Sequence, residues 1–282
     1  VSTVAGFVIL GGMPLSGVEP DTGVEWKVTS IDWWNSPAPT PASTKRPNSH
    51  GVWVGESWLP GRTVAIVGTM TAPTPAAGED AANRLARAAA LTDTLLQVAS
   101  PLPLSVVVRR SGDVIATPQE GQLTVWKWSV QLLAADPRKL GDPLQASTGL
   151  PSTSGGLALP FTLPTPISAS VVSGLVSLTN PGSIAGPARL RIDGPVSGPI
   201  VTHVTSGRSL IFASSLELGA GEFLTVDMER RQVLAQGESS RNGWVTSRGW
   251  SAFEPGSNTW AFTSVGSTTG GLLTVTATPA WM

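Results

Sequence analysis

The sequence predicts a mainly β protein built as two successive sandwiches, with one long α-helix in the first. Three observations carry this reading. Short β-branched and aromatic runs bounded by Gly, Pro, Asn or Asp recur along the chain, one segment alone has helical spacing, and a Pro-, Gly- and Ser-rich stretch near the middle separates two β-rich regions. A length of 282 residues fits two domains at about 100–200 residues each.

The first region, 1–140, is expected to hold strands at Thr3–Leu10, Glu25–Trp33, Arg62–Met70, Leu104–Arg109, Asp113–Thr117 and Leu123–Leu133. In the last of these, Trp126, Trp128, Val130 and Leu132 share one face while Lys127, Ser129 and Gln131 share the other. Strict alternation of this kind marks a half-buried antiparallel strand. Arg109–Asp113 lies between two such runs and reads as a hairpin turn. One segment breaks the two-residue period. From Glu79 to Ala99, the residues Leu85, Ala88, Thr92, Leu95, Leu96 and Ala99 recur at spacings of three and four, predicting a helix over about 79–99. Glu79 and Asp80 fall in its first turn, where negative charge suits the helix dipole, and Pro101 follows its end.

The stretch 141–166 has no strong period and reads as a linker. Beyond it, 167–282 is expected to form a second sandwich. Its strands are expected at Gly174–Thr179, Ala188–Ile192, Ile200–Val204, Ser209–Phe212, Glu222–Asp227, Gln232–Ala235, Trp260–Ser264 and Leu272–Thr278, with a hairpin closing near Met228–Arg231.

Composition narrows the chemistry. With no cysteine there is no disulfide, thiolate metal site or thiol nucleophile. A net charge of −1 lacks the basic excess that nucleic-acid binding needs. No run approaches the roughly 20 apolar residues of a membrane span, so membrane insertion is not expected. The apolar start, Val1–Leu15, lacks a basic lead and is broken by Gly11, Gly12 and Pro14, so it reads as strand and turn.

No catalytic, cofactor or metal residues are assigned. Gly55-Glu56-Ser57-Trp58-Leu59 ends on Leu where a nucleophile elbow needs Gly, and phosphate-loop, dinucleotide and zinc-protease motifs are missing. The two histidines, His50 and His203, fall in different regions and read as structural or surface residues. Glu222 and Asp227 are the nearest thing to a paired-carboxylate site, but Asp227 flanks a predicted turn, where solvated acids are common.

The tryptophans divide by context. Trp126 and Trp128 follow a buried register. Trp33, Trp34, Trp53 and Trp58 flank or occupy a Pro-rich loop, Asn35–Ser49, and with Pro39, Pro41 and Arg62 they are candidate subunit contacts, since Trp is enriched among interface hot spots. Trp244, Trp250 and Trp260 lie near turns; core packing is the favoured reading for them, and they are the candidates should the second region stack on a sugar ring.

Several runs together resemble the distal tail protein family of long-tailed, non-contractile (siphovirus-type) bacteriophages. The similar segments are Gly55–Gly68, the helix at Ala81–Leu96 followed by Pro103-Leu104-Ser105-Val106, and Ser129–Lys139 with its Asp136-Pro137 exit. In the second region they are Thr179–Gly182, Pro187–Ile192, Gly221–Asp227 and Glu254–Asn258. The resemblance implies a tail-tube-like β-sandwich with one helix, then a galectin-like or carbohydrate-module-like β-sandwich. It also implies a structural virion protein at the distal end of the tail: a non-enzymatic, hexameric ring without cofactors, joining the tail tube to the tip, baseplate and receptor-binding proteins, with DNA only as cargo of the lumen. A carbohydrate-binding adhesion module for host cell-wall glycan is the alternative.

Overall fold

The computed structural model describes residues 6–99, 101–154, 170–266 and 270–282. The chain divides into two compact units, with the boundary between Gly141 and Asp142. Among the described residues, no helix is long and apolar enough to cross a membrane.

The first unit contains β1 (Val8–Leu10), β2 (Met13–Pro14), β3 (Gly17–Val18), β4 (Glu25–Ile31), β5 (Thr40–Lys45), β6 (Val52–Trp58), β7 (Arg62–Thr71), α1 (Pro75–Ala88), β8 (Thr94–Ala99), β9 (Pro103–Gln119) and β10 (Gln122–Ala134). Antiparallel pairing gives the order β2-β1-β8-β9-β10-β7-β4-β3. Strand β9 serves both halves of this sheet: Pro103–Val108 pair with β8, and Arg109–Gln119 with β10. The alternation expected in β10 is present, with Trp126, Trp128, Val130 and Leu132 buried. Trp128 meets Trp26 of β4 edge to face, with ring centroids 5.7 Å apart.

Helix α1 is shorter than the sequence predicts. Thr74 caps it by accepting the Ala77 N–H at 3.2 Å, and Pro75 occupies the first turn. It buries Gly78, Ala81 and Leu85, and a side chain at Gly78 would meet the Trp126 indole at 2.3 Å, so the small residue sets how closely helix and strand approach. The helix stops at Ala88, and Thr94–Ala99, expected as its last turns, is strand β8. That segment lies between β1 and β9 and hydrogen-bonds to both, so pairing overrides a local pattern that fits either period. Leu96 and Val98 are buried and Leu95 is exposed, which is a strand's alternation.

A second correction concerns Arg109–Asp113. This segment is no hairpin turn but an irregularity within β9: Arg110 opposes Leu132 and Val114 opposes Val130, so Ser111, Gly112 and Asp113 bulge opposite Gln131. The reversal falls at Glu120–Gly121, where Gly121 takes φ +79°.

The second unit is a sandwich of two antiparallel sheets. One runs Leu144–Gly149, Leu272–Ala277, Ala188–Asp193, Phe223–Asp227, Gln232–Ala235, Ser239–Ser240; the other runs Leu175–Asn180, Gly256–Ser264, Pro199–His203, Arg208–Phe212, Val245–Arg248. Leu190, Ile192, Leu210, Phe212, Trp260, Phe262 and Val275 are among the side chains of the shared core. The expected linker is partly structure: Leu144–Gly149 is the edge of the first sheet, paired in full with Leu272–Ala277, and Ser152–Ser154 pairs with Ser170–Val172. Residues 155–166 of that stretch lie outside the described residues.

Candidate functional site

Strands β5 and β6 form a hairpin arm of the first unit that, among the described residues, pairs with no other strand. Half of it, Thr40–Lys45, was expected as loop. Its register places Thr40 opposite Trp58, Ser43 opposite Val54, Thr44 opposite Trp53 and Lys45 opposite Val52, with an irregularity at Ala42. Every residue of both strands is exposed. Because two residues of β6, Gly55 and Glu56, stand opposite Ala42 alone, the register puts Trp53 and Trp58 on the face of Thr44 and Thr40 and puts Val52 and Val54 on the face of Lys45 and Ser43; Arg46 lies 4.7 Å from the Trp53 ring. Trp53 is 62% and Trp58 71% exposed. A two-stranded hairpin is marginal in water without a covered face, and exposed apolar side chains grouped in this way mark an interaction surface.

The root of the arm is built oppositely. Arg62, the first residue after the arm's return, is only 2% exposed. Its guanidinium donates to the carbonyls of Trp33 at 2.9 Å, Asn35 at 2.6 Å and Pro137 at 3.0 Å, tying the entry of the arm to its exit. Burial lowers the Arg62 pKa, and the charge of Asp32 opposes that shift. Lys139, also buried, donates to the Trp33 carbonyl at 3.5 Å and lies 5.7 Å and 5.5 Å from the Trp33 and Trp34 rings. Burial, then repulsion from Arg62, lowers its pKa to about 8.

These positions sort the sequence candidates. Trp34, Pro39, Pro41, Trp53 and Trp58 are on the surface. Trp33 and Arg62 are not surface contacts: both are buried, one as an indole under a lysine and the other as the donor that closes the root. Lys139 was missed, as was Glu19, a buried carboxylate that accepts from Thr22 at 2.6 Å, the Trp26 indole at 2.9 Å and Arg84 of α1 at 2.6 Å. Burial pushes the Glu19 pKa up, but the bonds from Thr22, Arg84 and Trp26 outweigh it and leave the pKa below the ordinary value. No motif announces Glu19: Thr22 and Trp26 are near it in sequence, but its ionic partner Arg84 is 65 residues away on α1.

In the second unit the sugar-stacking set does not form. Trp260 is 0% exposed, packed against His203 at 4.9 Å and Phe253 at 6.1 Å. Trp250 is partly buried against the core, and of the three only Trp244 is exposed. His203 is held by Ser206 at 2.7 Å and Asn258 at 3.1 Å, and burial lowers its pKa. His50 is exposed. Asp227 caps its turn through the N–H groups of Glu229 and Arg230, and Glu222 accepts the Gly219 N–H at 2.7 Å. Among the described residues no group of three or more metal-ligating side chains converges.

A mainly β protein of two units, the first with one helix and a protruding arm, is a recognisable architecture among known structures. The Dit protein of phage SPP1, described as a paradigm of the hub adsorption apparatus in phages infecting Gram-positive bacteria, is similar to this chain with a TM-score of 0.68. Sequence identity is 10%, and the match covers 99% of this chain and 100% of that one. The phage P2 baseplate in its activated conformation with Ca gives a TM-score of 0.47 at 7% identity, covering 92% and 91% of the two chains. No family model matches the sequence, and no curated protein matches it significantly. The fold is therefore that of the SPP1 Dit protein, a likeness carried by structure where sequence identity is low.

Proposed function

We propose that this protein is a non-enzymatic structural hub at the distal end of a long, non-contractile phage tail. In this reading the first unit closes into a ring, hexameric as the family resemblance implies, which joins the tail tube to the tip and receptor-binding proteins while DNA passes through its lumen. The observation that carries the proposal is the exposed arm of β5 and β6 on a fold shared with a phage hub protein. A ring needs heterologous contacts, in which a projecting element of one subunit meets a different surface of the next. The arm has the required properties: its root is tied by Arg62, and it presents Trp53 and Trp58 on one face and Val52 and Val54 on the other, with no other strand among the described residues paired to it. Electron microscopy of the purified protein, alone and mixed with tail tubes, tests the reading. Rings that cap one end of the tube are expected; monomers that leave both ends bare would refute it.

A further inference from the structure

The outer face of the six-stranded sheet in the second unit holds a cavity of about 480 Å³ rimmed by arginine. Register builds it. Leu190 and Ile192 are core, so Arg189 and Arg191 on the same strand point outward. Arg189 sits between Asp227 and Thr276, and Arg191 lies beside Thr225. Gln232 opposes Asp227 from the next strand, and Arg230 projects from the turn between them.

Asp227 organises the group. Its carboxylate takes Nε of Arg189 at 3.3 Å, lies 4.0 Å from Nε of Arg230, and accepts the backbone N–H groups of Glu229 and Arg230 at 3.2 and 2.9 Å. One acid thus positions two guanidiniums without saturating them. Among the described residues, the terminal nitrogens of Arg189 and Arg230 make no hydrogen bond. Arg191 is held separately, by Asp193 at 2.7 Å and by the Phe223 ring at 3.7 Å. Residues 142–281 contain seven arginines, no lysine and eight carboxylates, yet this one cavity gathers three arginines against a single carboxylate. Guanidinium forks suit the paired oxygens of phosphate and carboxylate. Thr225, Thr276 and Gln232 supply hydroxyl and amide groups around it, the half-buried Leu234 supplies the apolar part of its wall, and no large exposed apolar side chain of the kind that forms the centre of a protein interface is among the lining residues.

We propose that this face binds a hydroxylated, anion-bearing chain, a glycan or polyol carrying phosphate or carboxylate groups. Arg189 and Arg230 grip the anion, while Thr225, Thr276 and Gln232 hydrogen-bond the flanking hydroxyls. The site is independent of the ring reading, because it needs only the second unit's own sheet.

Titration of the full-length chain with phosphomannan oligomers, alginate oligomers and neutral dextran tests it. Binding of a charged oligomer, weakening as salt is raised, and little binding of dextran are expected; preference between phosphomannan and alginate identifies the anion. The pair Arg189→Gln and Arg230→Gln should raise Kd at least tenfold with an unchanged melting temperature, while Arg248→Gln, on the other sheet, should leave Kd alone. The proposal is overturned if neither charged oligomer binds at millimolar concentration, if dextran binds equally, or if the double variant binds as the parent does. Tighter binding of polyglutamate than of either glycan would also overturn it, assigning the face to an acidic protein.

Discussion

The hairpin arm and its root are adjacent in sequence and follow opposite physical rules. At the root, buried polar groups are paired and two cations converge on one carbonyl, an arrangement that fixes direction at the cost of desolvating charge. Along the arm, among the described residues, nothing beyond the hairpin's own ladder covers the strands, and tryptophan and valine are exposed. The contrast separates residues that hold the chain's own shape from residues the chain leaves exposed, and it does so within a single amino-acid type: Trp33 belongs to the first class, Trp53 and Trp58 to the second.

Substitution at the root should break the contrast most strongly. Trp33→Ala removes a fully buried indole and is expected to cost about 3–5 kcal/mol of stability, read as a shift in the denaturant midpoint. Arg62→Leu leaves the carbonyls of Trp33, Asn35 and Pro137 without their donor; a loss of about 3 kcal/mol is expected in the same measurement.

Lys139 gives a pH signature of the root. Its pKa is about 8 when folded and near 10.5 when unfolded, so between those values the unfolded chain holds the proton more often. Stability from this group therefore rises as pH increases from about 8 to 10.5, and the penalty for burying the charge is fully present below 8. Lys139→Met should flatten that slope in pH-dependent unfolding and change stability at pH 7 by roughly 2 kcal/mol or less, because it removes charge repulsion along with a weak hydrogen bond. The smallest effect belongs to the arm: Trp58→Ser should alter the stability of the isolated chain by less than about 0.5 kcal/mol. A loss comparable to that of Trp33→Ala would mean that Trp58 packs on its own chain and would erase the distinction.

How much of this was legible beforehand depended on the range of the interactions. The eight strands expected in the second unit are present within a residue or a few at their ends, and β10 reads directly from its alternation, because burial on one face writes a local period. The segment Thr94–Ala99 misled because a short apolar run fits two periods, and hydrogen bonds to β1 and β9, far apart in sequence, decide between them. The arm's aromatic content was visible in sequence, but its strand character was hidden by Pro39 and Pro41, residues that an exposed hairpin tolerates at its open edge. Burial of Trp33 and Arg62 depends on Pro137 and Lys139, about 75 to 106 residues away, and no local pattern encodes that. For Trp260 the favoured core reading holds despite a nearby turn, because the strand Gly256–Ser264 carries it inward.

In the proposed reading the arm is a contact between copies of this chain. Native mass measurement of the full-length protein beside its Trp53→Ser, Trp58→Ser double variant tests it most directly. A ring of six subunits for the parent, dissociating to monomer in the variant at the same concentration with folding intact, is the predicted result. A parent that is monomeric at high concentration, or a variant whose oligomer is as stable as the parent's, would contradict it.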